Sequence, residues 1–180
     1  LLLVVVALAA ARQEAFLTPE NLLNVLRQNS MLGLVALGMT FVIVHGGIDL
    51  SVGALVAAGG LAAAEASRWG SAAALSLAIS VTALLGLVNG LLVVKARVQP
   101  FVATLATMFA VNGAVLVWTR EASVRVERTA SFLGWLGRGL VGPVPVPVFV
   151  LLGAYAVGWI ILTRTQSGLH VHAVGHNAEA

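Results

Sequence analysis

Phe41-Val42-Ile43-Val44-His45-Gly46-Gly47-Ile48-Asp49-Leu50-Ser51-Val52-Gly53 lies at the centre of an apolar run from Met31 to Ala66. As one helix, that run would extend about 54 Å, far beyond a hydrocarbon core of roughly 30 Å. It therefore has to break, and the break is written at its middle. Paired glycines end helices, and Asp or Ser can cap the next one. The run is predicted to form two spans, 31–46 and 50–66, joined by a tight polar turn.

The composition names the solvent. Hydrophobic residues make up 59% of 180 and charged residues 9%, with a mean hydropathy of +1.00. A soluble domain carries about 25% charged residues, so most of this surface requires lipid. The apolar runs are continuous rather than alternating, which excludes a transmembrane barrel. A formal charge of +3 does not indicate nucleic acid, because the cations stand singly at segment ends as membrane anchors do. The absence of cysteine removes disulfides, thiolate metal sites and thiol catalysis.

Working outward, residues 1–11 form an apolar stretch read as the tail of a truncated first span. Thr18-Pro19-Glu20 has the form of a helix start, followed by an amphipathic lead-in that ends at Arg27-Gln28-Asn29-Ser30. Beyond the broken segment, spans are predicted at 72–94, 101–118 and 148–163. Between the last two lies a polar stretch in which Phe132, Leu133, Trp135 and Leu136 suggest an interfacial helix. Pro143, Pro145 and Pro147 give it an extended exit. The fold expected is an all-α polytopic transmembrane helix bundle with about six spans in a single domain, and a polar segment at 164–180. Two spans within 31–66 put Lys95, Arg97 and Arg164 on one common side. Positive-inside counting puts that side in the cytoplasm, although Arg12, Arg27, Arg68, Arg120, Arg125 and Arg128 in the opposite loops weaken the bias.

Asp49 is the one carboxylate deep in an apolar stretch. Such acids are costly in lipid. It has two compatible readings, a polar group lining a substrate path at a broken helix or a cap at the turn. His45 stands four residues before it, the spacing of a proton relay, although Gly46-Gly47 interrupts the helical register. Asn89 lies in Gly86-Leu87-Val88-Asn89-Gly90, where small residues four apart favour close helix packing and an amide can bond across to the neighbour, with substrate contact as the other reading. Thr104 and Thr107 share a face of the next span, with Asn112 nearby. His170, His172 and His176 offer nitrogen donors, but no carboxylate or cysteine completes a metal set. No catalytic triad, phosphate loop or metalloprotease pattern is present, so no catalytic residues, metal site or cofactor are expected.

The run Asn29 to Thr40 continuing into Gly46-Gly47-Ile48-Asp49-Leu50-Ser51-Val52-Gly53 closely resembles permeases of the ribose/xylose-type (branched, binding-protein-dependent) ABC transporter family. Gly86 to Gly90, Gln99-Pro100-Phe101-Val102-Ala103-Thr104-Leu105 and the tail Thr165 to Ala180 are similar to further blocks of that family, in order over nearly the whole chain. His176, Ala178 and Gln99 depart from its usual pattern. The resemblance implies an N-terminal fragment of a permease of about ten spans in a bacterial inner membrane, with residues 164–180 cytoplasmic. The implied function is sugar import by alternating access, without hydrolysis by the permease itself. The implied partners are a second permease subunit (a homodimer), ATP-binding cassette subunits and a periplasmic sugar-binding protein. Gly46, Gly47, Asp49, Ser51, Asn89 and Thr104 become candidates for the substrate pathway or a hinge. Gly168, His170, Gly175, Asn177 and Glu179 become candidates for ATPase coupling. The rival reading is an ion- or proton-coupled carrier using His45 and Asp49.

Overall fold

The computed structural model describes residues 1–176. Among them the chain is all-α apart from one two-residue hairpin: α1 Leu2–Arg12, α2 Pro19–Val44, α3 Val52–Ala66, a 3-10 turn Ser67–Trp69, α4 Ser71–Val94, α5 Pro100–Thr119, α6 Ser131–Arg138, β1 Leu140–Val141, β2 Val144–Pro145, α7 Val146–Arg164 and α8 Gln166–His176. Helices α2, α4, α5 and α7 are each long and apolar enough to cross a membrane. Their outer faces suit a lipid solvent, with Val117 80% and Ile79 66% exposed. The chain is a polytopic helical membrane protein.

The start of α2 follows its local chemistry. Thr18 Oγ1 accepts the Asn21 N–H at 3.4 Å, Pro19 occupies the first turn, and Glu20 faces the positive end of the helix dipole. The expected separation of a lead-in from a span at 31–46 does not occur, because α2 is one helix from Pro19 to Val44. The polar residues at the presumed boundary satisfy themselves on the helix's own carbonyls. Asn29 Nδ2 donates to Val25 O at 2.8 Å and Ser30 Oγ to Leu26 O at 2.7 Å, so neither interrupts the ladder. The helix stops at Gly46, whose φ of +82° is the left-handed conformation glycine supplies at a helix C-terminus.

Two groups of helices result. Helix α2 packs along α7 and touches α8, whereas α3 packs on α4 and α5, and α2 hardly touches α3. Gly33 lies against Leu151 and Leu37 against Gly158, so α2 and α7 run parallel. Gly59 lies against Thr82 and Ser51 bonds Asn89, so α3 and α4 run antiparallel. Consequently α2, α4 and α7 end at one face, here called the α8 face. The opposite, hairpin face carries α6, the β-hairpin and the 120–130 loop. That loop is pinned by Ser67, whose Oγ accepts the Glu127 N–H at 2.8 Å and whose carbonyl accepts Thr129 Oγ1 at 2.6 Å. The extended exit expected at Pro143, Pro145 and Pro147 is instead a hairpin turning at Gly142, with Pro147 already inside α7.

Candidate functional site

The turn between α2 and α3 is built around the Asp49 carboxylate. Asp49 Oδ1 accepts the Ser51 N–H at 2.7 Å and the Ser51 hydroxyl at 2.6 Å. This local bond keeps Leu50 and Ser51 out of the helix, which begins only at Val52. The expectation that Asp49 or Ser51 caps α3 is thus corrected. Ser51 occupies the capping position but makes no side-chain bond to α3, because its hydroxyl is committed to the carboxylate.

From Ser51 the bonding passes into the next two helices. Asn89 Nδ2 on α4 donates to Ser51 Oγ at 3.0 Å, and Asn89 Oδ1 accepts the Thr107 hydroxyl of α5 at 2.5 Å. Every donor points the same way, from Thr107 through Asn89 and Ser51 to Asp49. Beside this string, Thr104 Oγ1 accepts the Leu50 N–H at 3.2 Å and gives its own hydrogen to Pro100 O at 2.9 Å. Ser51 is 0%, Asn89 7%, Thr104 4% and Thr107 9% exposed. Polar groups this deep in an apolar bundle persist because they satisfy each other, and each such bond contributes about 1 kcal/mol net.

Asp49 is only half-buried. Its other side opens on a groove of about 560 Å³ between the two helix groups, walled by Val35, Gly38, Met39 and Val42 of α2 and by Val52, Val56 and Gly60 of α3. The groove presents one carboxylate among walls that are apolar or glycine apart from Thr82. The four buried residues behind it hold that carboxylate in place without lining the groove.

Of the sequence-derived candidates, Asp49, Ser51, Asn89 and Thr104 are brought together, and Thr107 joins them. Gly46 and Gly47 form the turn itself, with Gly46 facing Gly175 of α8. His45 is exposed and makes no hydrogen bond to Asp49 among the described residues, so the relay has no geometry to support it. Asn112 is exposed and outside the string. Asn89 does not serve a close contact through Gly86 and Gly90, since a Cβ at either glycine would meet nothing within 4 Å. Gly168, His170 and Gly175 lie on α8, whereas Asn177 and Glu179 lie outside the described residues. Sequence reasoning missed Ser67, a fully buried anchor of the hairpin face; its position between Ala66 and Arg68 carries no local signal.

The family model described as "Branched-chain amino acid transport system / permease component" matches residues 21–180. The chain is similar to the ribose import permease protein RbsC of Escherichia coli (strain K12), with 37% identity over 99% of this chain and 57% of the relative. It is also similar to the galactofuranose transporter permease protein YtfT of the same organism, 36% identical over 88% of this chain and 46% of that one. The D-allose transport system permease protein AlsC, again of that organism, is 32% identical over 98% of this chain and 55% of its own length. The chain thus spans about half the length of these relatives. No solved structure matches.

Proposed function

Because the chain belongs to the branched-chain amino acid transport system / permease component family, we propose that it is the membrane-spanning subunit of an ATP-driven importer of a small sugar. Three relatives named for permeases of different sugars support the substrate class. The observation that carries the site is the carboxylate at the broken helix, fixed on one side by a buried polar string and open on the other to the groove. A carboxylate oxygen accepts sugar hydroxyls, and the paired helix ends around it allow the path to open and close. The family also suggests the partners: ATP-binding subunits, a periplasmic sugar-binding protein and a second permease copy. In this reading the permease subunit hydrolyses nothing, and the α8 face, with Lys95, Arg97 and Arg164, is cytoplasmic in a bacterial inner membrane. Residues Gly168, His170, Gly175, Asn177 and Glu179 then belong to the segment that meets the ATPase.

The test is uptake of radiolabelled ribose and D-allose into proteoliposomes holding the intact complex. Uptake is expected to require ATP and to ignore an uncoupler. Asp49→Ala is expected to insert normally and to lose most uptake, whereas wild-type transport by that variant removes Asp49 from the pathway. Uptake driven by a proton gradient without ATP would sink the importer reading altogether.

A further inference from the structure

The end of α8 sits directly on the turn that holds Asp49. A Cβ on Gly175 would fall inside contact distance of the Val44 carbonyl oxygen, and Gly46 lies against the Gly175 backbone. Only glycine permits this approach of two backbones. The other end of α8 is equally fixed. Gly168 packs where a Cβ would strike the carbonyls of Ile161 and Leu162, and its N–H donates to Thr165 Oγ1 at 3.2 Å. Helix α8 is therefore clamped to α7 at its start and to the end of α2 at its finish. Helices α2 and α7 are clamped to each other, by Tyr155 Oη donating to Gly33 O at 3.2 Å and by the Leu37–Gly158 contact.

We infer that α2, α7 and α8 form one lever, and that Gly175 is the positioning residue through which α8 sets the angle of α2 about the 46–51 turn. The inference rests on the function proposed above and deepens it by naming the moving parts. Helices α3, α4 and α5 are tied together by the string from Thr107 to Asp49 and form the fixed side. The groove between the sides is the gap that the lever opens and shuts, with Asp49 at its hinge. Force on α8 from the cytoplasmic face reaches α2 with no loose segment between them, while α6, which touches both α7 and α4, joins the two sides at the hairpin face. Gly175 touches no substrate; it acts only by where it holds α2.

The 180 residues contain no cysteine, so within this segment only the introduced pairs carry thiols. In the intact complex in proteoliposomes, His45→Cys with Val174→Cys places a pair within the lever, and Met39→Cys with Val56→Cys places a pair across the groove. Each is bridged with a short bismaleimide and the adduct measured by mass before ribose uptake and ATP hydrolysis are assayed. Both pairs are expected to bridge. The pair within the lever leaves uptake close to its unbridged rate. The pair across the groove stops uptake while ATP hydrolysis continues. Gly175→Val, unbridged, is expected to lose most uptake and keep ATP hydrolysis, an uncoupling that mere misfolding would not produce. The lever is overturned if the first pair fails to bridge, if bridging it halts uptake, or if the second bridge permits transport. Wild-type uptake by Gly175→Val overturns the role of that glycine. A complex with no ATP-driven uptake before any bridging removes the importer function instead, and the bridging yields still decide whether the lever exists.

Discussion

At the scale of single residues, Asn89 bears more than any other polar side chain in the string. Its amide both gives and receives, so no isosteric substitute serves both neighbours. Asn89→Leu leaves Ser51 Oγ without its donor and the Thr107 hydroxyl without its acceptor, both buried. The expected cost is about 1–3 kcal/mol, read as a lowered melting temperature in detergent. Thr107→Val, which removes only the terminal donor, is expected to cost less. Equal losses in the two variants would show that the string does not bond as described. The individual polar residues were legible in the sequence, because a carboxylate, an amide and two threonines stand out against apolar runs. Their meeting was not. Ser51 and Asn89 are 38 residues apart, and no local period connects a turn with a residue near the end of another helix.

Among elements, α3 and α4 illustrate how small residues are used. The buried residues of α3 are Ala54, Ala58, Gly59, Ala62, Ala64 and Ala66, small enough to let α4 approach closely. A Cβ at Gly59 would come within 2.9 Å of Thr82 Cγ2, so Gly59→Leu forces the two helices apart. It is expected to lower stability by about 1–3 kcal/mol, whereas Gly86→Ala, facing open space, is neutral or slightly stabilising. A thermal-unfolding comparison in detergent checks this, and a Gly86→Ala loss as large as that of Gly59→Leu would contradict the packing. The sequence pointed to Gly86 and Gly90 because their spacing is the familiar one, but spacing does not say which face has a neighbour. It did reveal the break after Val44, since glycines and a carboxylate inside an apolar run have few other meanings. The continuity of α2 through Asn29 and Ser30 was hidden, because polarity reads as a boundary unless the side chain's own bond to the preceding turn is known.

For the whole molecule, orientation is the first quantity to measure. Arg12, Arg68, Arg120, Arg125, Arg128 and Arg138 belong to the hairpin face, and Lys95, Arg97 and Arg164 to the α8 face. Charge counting thus runs against the proposed cytoplasmic α8 face, which only the family likeness suggests. In intact cells, Ser123→Cys is expected to react with a membrane-impermeant maleimide and Ala96→Cys only after permeabilisation; the reverse pattern inverts the topology. The groove between α2 and α3 has a further consequence. In water, apolar walls this close would be driven together, but lipid tails are as apolar as the walls, and no such force acts between helices in a bilayer. Hydrophobic collapse therefore does not separate the open and closed arrangements of the proposed gate. A contact that favours one by only about 1.4 kcal/mol shifts their ratio tenfold. A gap that hydrophobic collapse does not shut answers to whatever occupies it, or to whatever leans on α8.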